Sequence, residues 1–390
     1  MQRRELPLAF GKEALLTPAE EQVATLSSGP PILIVAVDTE AEFDWNGPFL
    51  RTHTEVRNLR NQTMAQEIFD RHGVRPIYLV DYAVATQSDG YMPLREIVQS
   101  GRCEIGAHLH PWITPPLAEE LSDRTSFSHN LPTWVQKEKL ARLTEAIVSS
   151  FGVHPNSYRA GRYGVGEEIA GILAYLGYEI DMSVQPGIDM RRIHGPDFRQ
   201  VIDRPYWFGD GWRLLEIPAT PAFTGLIAHP VLPRALRVQL YDVISRPRLN
   251  RMRSLGIFAR LRLLERLPLS PEGVTFDELR RLTYALLSRG KRAFVFSYHS
   301  SSLLPGNTGY VRSSSELSDF LHTIASYLQF FMGEIGGISM TPSELRAVLL
   351  KKVAVPTAAP QRANDGEPVD SSTGFSSVTS SVCGAGNNSD

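Results

Sequence analysis

The stretch at residues 31–40 constrains the fold more than any other part of the chain. It reads Pro-Ile-Leu-Ile-Val-Ala-Val-Asp-Thr-Glu, so that seven apolar residues run directly into two acids, Asp38 and Glu40. A short run rich in β-branched residues is typical of a strand buried on both faces. Because side chains two apart on a strand point to the same side, both acids are expected to project together at the carboxyl end, where α/β folds place their chemistry. For either acid alone, a capping or loop role is the simpler alternative.

The rest of the chain alternates predicted strands and helices. Including the first, strands are predicted at 31–40, 75–80, 103–108, 157–160, 178–183, 212–218, 292–299 and 337–340. Helices are predicted at 58–72, 93–101, 133–151, 165–176, 276–288, 313–331 and 343–351. This alternation is typical of a parallel sheet or barrel. Eight strands are the number that a small closed barrel needs, so the sequence predicts an α/β protein built as a (β/α) barrel.

Three segments are expected to lie outside this barrel, which occupies residues 30–351. Residues 1–29 are polar and are expected to form a loosely docked leader. Residues 226–271 combine arginine and leucine and predict a helical insertion, and residues 352–390 have the composition of a disordered tail. Arginines interleaved with leucines usually form the solvated face of a packed helix, and contact with an anionic membrane surface is the less favoured alternative.

Composition excludes several classes of protein. Hydrophobic residues make up 42% of the 390, which is enough for a substantial core. The formal net charge of −2 gives no field that would recruit nucleic acid. Two cysteines make no disulfide framework. No stretch resembles a secretory signal or a membrane span, and a cytoplasmic protein is therefore expected.

A pair of histidines follows the predicted strand at 103–108. On an extended segment His108 and His110 project the same way, so both imidazoles can reach one ion. Together with Glu40 they form a ligand set of two histidines and one carboxylate. Such a set leaves an open position on zinc or a similar divalent ion, as hydrolysis of an amide or ester requires. The alternative is a buried, hydrogen-bonded His108 and an exposed His110.

The remaining parts of a hydrolytic site also lie at predicted strand ends. Asp38 is the candidate base that takes a proton from water, and His299 is the candidate acid that protonates the leaving group. Arg159 and Arg162 lie on a glycine-rich turn, and an arginine beside Asp38 would hold it ionised. Asp181 lies inside a predicted strand and is expected to pair with one of these arginines.

Two aromatic residues near these strand ends are candidates for substrate binding. Trp112 follows His110-Pro111, and Tyr163 follows Arg162. Either ring could form a wall against a sugar ring. For Trp112, a place in the core is an equally good alternative.

These motifs together resemble the NodB-homology polysaccharide deacetylases, carbohydrate esterase family 4. The motifs are Asp38-Thr-Glu40, Glu104-Ile-Gly-Ala-His108, the turn beginning at Arg159, and Ser297-Tyr-His299. The resemblance covers residues 30–345. It implies a distorted (β/α) barrel of seven or eight strands and a metal-dependent N- or O-deacetylase of saccharides. It also implies that Asp38 is the base, Glu40 and His108 are metal ligands, Arg159 orients the base, and His299 is the acid.

The chain departs from the family pattern at two points. The family usually has two adjacent aspartates where this chain has Asp38-Thr-Glu40, as in a divergent branch. The family's second metal histidine usually lies four residues after the first, where this chain has Trp112. His110 is the candidate replacement, and His129 is a more distant one.

The sequence thus predicts a bacterial, zinc-dependent hydrolase of carbon–nitrogen bonds other than peptide bonds, acting on an acetylated saccharide. One alternative is a catalytically inactive, sugar-binding relative, motivated by Trp112 at the usual ligand position. Another is a different amide-cleaving metal hydrolase on the same barrel. A glycoside hydrolase that uses Asp38 and Glu40 is less favoured, because two acids on one strand end do not flank a glycosidic bond.

Overall fold

The computed structural model of the chain describes residues 14–26, 29–45, 47–211, 213–224 and 265–353. A sheet of nine strands forms its centre. Its strands are β1 (Ile32–Thr39), β2 (Ile77–Val80), β3 (Glu104–Leu109), β4 (Ser157–Ala160), β5 (Ile180–Asp181), β6 (Tyr206–Phe208), β7 (Leu214–Glu216), β10 (Ala293–His299) and β11 (Ile338–Ser339). A separate antiparallel pair is formed by β8 (Pro221–Thr224) and β9 (Glu265–Pro268).

The order of strands in the large sheet is β10-β1-β2-β3-β4-β5-β7-β6, with β11 also paired to β1. All of its pairs are parallel except β6 with β7. The sheet curls into a half-barrel with helices along its outer side, which confirms the predicted α/β fold with a distorted (β/α) barrel. No helix among the described residues combines the length and apolar character that crossing a bilayer requires.

Eight α-helices are described. They are α1 (Gln62–Arg71), α2 (Tyr82–Thr86), α3 (Ser88–Gln99), α4 (Thr133–Phe151), α5 (Ile169–Leu176), α6 (Phe276–Leu287), α7 (Ser314–Gln329) and α8 (Pro342–Val353). Helix α4 ends at Gly152, which takes the left-handed conformation with φ of 73°. The helix predicted at 93–101 is observed as α3, which begins earlier, at Ser88. Pro93 therefore lies inside the helix rather than in its first turn.

Strand β1 lies in the middle of the sheet and all eight of its residues are buried. Its side chains alternate between two cores, as the pleat of a strand requires. Leu33, Val35 and Val37 face the larger core beneath the helices. Ile34 and Ala36 face a smaller core inside the half-barrel.

The inner core explains where the polar side chains gather. Asp38 follows Ile34 and Ala36 at the same alternation on β1, so it points to the inner side. On β10, His299 follows Ala293 and Val295 of the same core in the same way. The strands are also in register here, since Asp38 is opposite His299. Parallel strands thus carry these side chains to one end of the inner core.

The structure corrects two predictions about the flanking segments. Residues 14–26 are not loosely docked, because Leu15 is fully buried and its backbone nitrogen donates to Glu167 Oε2 at 2.8 Å. The helical insertion predicted at 226–271 is wrong in its last residues, where Glu265–Pro268 forms β9. The rest of the insertion, up to residue 264, lies outside the described residues, as do residues 354–390 of the predicted disordered tail.

Candidate metal centre and active site

Glu40, His108 and His110 form a buried cluster at the carboxyl ends of β1 and β3. One donor atom from each lies within 4.8 Å of the other two. Glu40 Oε2 is 3.6 Å from His108 Nε2 and 3.3 Å from His110 Nε2. The three residues that the sequence identified as metal ligands are therefore brought together. His129, the more distant alternative, is not part of this cluster.

The donor set suits a divalent ion. Burial lowers the pKa of His108 to about 3, so its imidazole is neutral. His108 Nδ1 lies 3.2 Å from the carbonyl oxygen of Arg159. A proton on Nδ1 donates to that carbonyl and leaves the lone pair of Nε2 directed at the cluster. Glu40 Oε1 is buried with no hydrogen-bond partner in the described part of the chain, and two imidazoles and one carboxylate are ligands that zinc accepts.

Asp81 lies behind His110. Its Oδ2 is 3.4 Å from His110 Nδ1, and it accepts a hydrogen bond from the backbone nitrogen of Ala41 at 2.8 Å. Its other oxygen caps α2 by accepting from Val84 N at 2.9 Å. His110 Nδ1 has no hydrogen-bond partner among the described residues, so Asp81 acts on the imidazole as a nearby carboxylate and not through a hydrogen bond.

Glu40 lies in an environment that disfavours its charged form. Burial raises its pKa well above the usual range, and Asp38, Asp81 and Glu272 raise it further, while His299 acts in the opposite direction. A carboxyl group in such a place is stable when it is protonated or when it is paired with a cation.

Asp38 is held in its charged form by Arg159. The two side chains are almost fully buried, and Arg159 Nη1 is 2.5 Å from Asp38 Oδ1. Burial alone would raise the pKa of Asp38, but the guanidinium of Arg159 and the protonated imidazole of His299 outweigh burial and lower it. Arg159 Nε donates to the carbonyl oxygen of Met182 at 3.1 Å, which fixes the guanidinium in place.

His299 is held in its protonated form by Glu272. His299 Nδ1 is 2.9 Å from Glu272 Oε2, and its backbone nitrogen donates to Glu272 Oε1 at 3.1 Å. Burial opposes the charged imidazole, but Glu272, Glu40 and Asp38 outweigh burial and raise the pKa of His299 to about 10. Its other nitrogen, Nε2, is 3.8 Å from Asp38 Oδ2. A charged carboxylate and a protonated imidazole therefore lie next to each other.

A cavity of about 220 Å³ is lined by the ligand cluster and by three further polar residues, Asp38, Arg159 and His299. Its walls combine the polar groups above with four aromatic side chains, Phe43, Trp45, Phe49 and Tyr163. Trp45 packs edge-on against His299, with ring centroids 4.5 Å apart. Aromatic walls of this kind suit the apolar faces of sugar rings.

Trp112 does not form part of this wall, which corrects the prediction that it binds substrate. It is 1% exposed and stacks on His110, with ring centroids 4.3 Å apart and an interplanar angle of 18°. The large indole fills the core behind the histidine, so the alternative of a core residue is the observed one. Its effect on the site is to hold the plane of the His110 ring.

The turn that follows β4 has unusual backbone geometry. Arg162 and Tyr163 both have φ of 56°, a left-handed conformation that side chains other than glycine rarely adopt. Gly161 precedes them and lies against His110, since an added Cβ would come within 2.4 Å of His110 Cδ2. Only glycine permits this close approach.

Asp181 forms no ion pair with Arg159 or Arg162 in the described part of the chain, contrary to the prediction. Its Oδ1 accepts a hydrogen bond from Ser183 Oγ, and it lies in register with Glu216 of the neighbouring strand β7. Burial raises the pKa of Asp181 to about 6. Burial also raises the pKa of Glu216, and the neighbouring Asp181 raises it further. The two acids lie next to each other because β5 and β7 pair at these positions, and burial favours the protonated form of each.

Sequence reasoning missed two acids that contact the candidate site, Glu272 and Asp81. Asp81 could have been found by the rule that identified Asp38, because it directly follows the buried strand β2. Glu272 lies beyond β9, after a segment whose pattern predicted helix. No local signal in the sequence connects it with His299.

Comparisons with known proteins give matches among solved structures only. No protein family profile matches the chain, and no curated protein matches it. A protein from Mycobacterium smegmatis, provisionally named as a polysaccharide deacetylase, is 18% identical with a TM-score of 0.47, over 89% of this chain and 99% of its own.

Two further matches come from the family that the motifs resemble. A family 4 carbohydrate esterase from Streptomyces lividans, in complex with acetate, is 11% identical with a TM-score of 0.36, over 80% of this chain and 91% of its own. A CE4 family pseudoenzyme from Bacillus anthracis is 10% identical with a TM-score of 0.37, over 81% and 65%. The family predicted from the motifs is thus represented among the matched structures.

Proposed function

We propose that this protein is a metal-dependent hydrolase that removes acetyl groups from N-acetylated or O-acetylated saccharides, as a divergent member of the NodB-homology polysaccharide deacetylases. One observation carries the proposal. A cluster of three metal-ligand side chains, a carboxylate held in its charged form and an imidazole held in its protonated form line the same cavity.

The chemistry divides between the ion and the side chains. When bound, a divalent ion with an open position lowers the pKa of a water molecule and polarises the acetyl carbonyl. Asp38 accepts the proton of the attacking water, and Arg159 keeps it ionised and oriented for that task. His299 donates its Nε2 proton to the departing nitrogen or oxygen, and Glu272 keeps that imidazole charged.

Glu40, His108 and His110 would hold the ion, and zinc is the proposed metal because the set contains two neutral imidazoles and one carboxylate. The aromatic walls of Trp45 and Tyr163 are proposed to contact the sugar. A bacterial source and a cytoplasmic location stay predictions from the sequence.

The test combines metal analysis with acetate release. The purified protein is assayed on N-acetylglucosamine oligomers and O-acetylated xylan, with and without a chelator. We expect one divalent ion per chain, acetate release that the chelator abolishes, and loss of both in His108→Ala. His322→Ala is the matched control, because His322 lies exposed on α7 and should keep both. Asp38→Asn should keep the ion and lose at least about 100-fold in kcat.

Other outcomes separate the alternatives. Acetate release that continues unchanged in the presence of the chelator would refute the metal mechanism. Wild-type protein that holds no ion yet binds acetylated sugars would be the inactive, sugar-binding relative. A protein that holds the ion, ignores acetylated sugars and cleaves other amides would be a different amide hydrolase on the same barrel.

A further inference from the structure

Arg162 places a cation in the wall of the cavity, and no acid of the described residues forms an ion pair with it. Its Nη1 donates to Ser126 Oγ, and its guanidinium lies 4.0 Å from the ring centre of Phe127 and 4.8 Å from that of Phe49. Among the described residues, no carboxylate oxygen lies within 4.0 Å of its nitrogen atoms. Arg159, the other arginine of the cavity, pairs with Asp38 through Nη1 and donates from Nε to the carbonyl oxygen of Met182, while its buried Nη2 has no hydrogen-bond partner among the described residues.

Holding the charged side chain of Arg162 in this position costs free energy. Burial lowers the pKa of Arg162, and the more distant Asp123 opposes burial only in part. The backbone of Arg162 and of Tyr163 is left-handed, a conformation that is unfavourable for residues with a side chain. Unfavourable backbone conformations of this kind occur most often at sites that bind or transform a ligand.

The contacts of the guanidinium leave it able to bind an anion. Contacts with the faces of aromatic rings use the π-system and consume no N–H donors. One hydroxyl group, that of Ser126, accepts from a side chain that has five donors in total. The planar fork of a guanidinium matches a carboxylate or a phosphate group, each of which accepts two parallel hydrogen bonds.

We propose that the substrate carries an anionic substituent close to the acetyl group that is removed, and that Arg162 binds this substituent. The inference rests on the proposed function, since it names the class of saccharide on which the same cavity acts. The shared chemistry is an oxyanion, which a uronic acid supplies as a carboxylate and a sugar phosphate supplies as a phosphate. Arg162 and the cluster of Glu40, His108 and His110 line one cavity, so one small saccharide reaches both.

A purely structural role for Arg162 is the competing explanation. Arg162 joins the turn after β4 to the loop that carries Ser126 and Phe127. If that were its only role, removing its charge would lower kcat/KM equally for every substrate. A role in recognition instead changes the ratio between charged and neutral substrates.

The test compares three substrates. They are a neutral N-acetylglucosamine tetramer, a tetrasaccharide that alternates N-acetylglucosamine with glucuronate, and N-acetylglucosamine 1-phosphate. For the wild-type protein we expect one of the two anionic substrates to have the higher kcat/KM, and the better one identifies the carboxylate or the phosphate. In Arg162→Met the ratio of kcat/KM between that substrate and the neutral tetramer should fall about 10- to 100-fold, as expected for a charge-assisted contact. Raising the salt concentration should lower the wild-type ratio in the same direction.

Two further variants make the result specific. Arg162→Lys keeps the charge and loses the planar fork, so it should retain part of the ratio. Arg142→Met is the matched control, because Arg142 lies exposed on α4 and pairs with Glu138 and Glu145. It should leave the ratio unchanged. Equal loss on all three substrates in Arg162→Met, or a wild-type enzyme with no preference for either anion, would overturn the inference.

A binding measurement separates this inference from the proposed function. The same saccharides are titrated into wild-type and Arg162→Met protein, with dissociation constants read by calorimetry. If no acetate is released but an anionic saccharide binds about 10-fold or more tightly than the neutral one, and Arg162→Met loses that difference, the inference stands and the hydrolase proposal fails. If all three bind alike, the inference is wrong whatever the activity.

Discussion

Replacing Glu272 by glutamine should shift the pH dependence of the reaction. In the proposed mechanism His299 must be protonated to donate to the leaving group, so activity is lost as pH rises through its pKa, which is about 10 in the free protein. Glu272 is the carboxylate in direct contact with it, at 2.9 Å from Nδ1. Glutamine keeps the shape of the side chain and an oxygen that can accept from His299 N and Ser302 Oγ. It removes the charge and puts an NH2 group in place of the oxygen that faces His299 Nδ1.

The size of the shift follows from the geometry. A charge of opposite sign within about 4–6 Å changes a pKa by about 1–3 units. Glu272 lies within this range of His299, and burial continues to oppose the charged imidazole in the variant. The alkaline limb of kcat/KM should therefore move to lower pH by about 1–3 units. This corresponds to about 1.4–4 kcal/mol less stabilisation of the imidazolium.

The assay is acetate release between pH 6 and pH 10.5, at saturating and at limiting substrate. Glu138→Gln, an exposed carboxylate on α4, is the matched control and should leave the limb in place. Nitrogen NMR of the histidine side chains reads the protonation of His299 without turnover. An alkaline limb that stays in place while activity falls, or one that moves to higher pH, would refute the role given to Glu272.

Two further perturbations test the scaffold of the site. Gly161→Ala should lower the affinity for the divalent ion by about 10-fold or more, because the added Cβ would collide with the His110 ring. Chelator competition measures the affinity, and Gly171→Ala is the control, since its Cβ would meet nothing within 4 Å. Equal affinities in the two variants would contradict the steric argument. Asp181→Asn should flatten the pH dependence of stability. The folded chain keeps a proton on Asp181 up to about pH 6 that the unfolded chain releases near pH 4, so the free energy of unfolding declines by about 3 kcal/mol as pH rises through that window. Urea unfolding from pH 4 to pH 8 measures it, and an unchanged decline in the variant would exclude Asp181 as its source.

The parts of the site that could be predicted are those set by a strand and its end. The apolar run at β1 determines a buried strand, and the two-residue period then places Asp38 and Glu40 on one side. The same period applies to His108 on β3 and His110 directly after it, so the ligand cluster follows from local sequence. What joins the two strands is the parallel order of the sheet, which the alternation of strands and helices predicts.

The parts that could not be predicted depend on packing between distant segments. Whether Trp112 faces the cavity or the core depends on the direction of the chain after β3, and its stacking on His110 is visible only in three dimensions. The sequence predicts an ion pair between Asp181 and an arginine, but the pairing of β5 with β7 places Glu216 beside Asp181. Glu272 reaches His299 because β9 returns the chain to the site. Each case is decided by a neighbour far away in sequence, which no local pattern records.

The charges of the site relate the ligand cluster of Glu40, His108 and His110 to Arg162. Two pairs are complete within the described residues: Asp38 with Arg159, and Glu272 with His299. Glu40 has no such cation and faces two imidazoles, and burial raises its pKa. A divalent ion would restore its charge and add more positive charge than the carboxylate neutralises. Together with Arg162, this gives the cavity an excess of positive charge. A neutral sugar would interact only with the ion, through its acetyl oxygen, whereas an anionic sugar would interact with both the ion and Arg162.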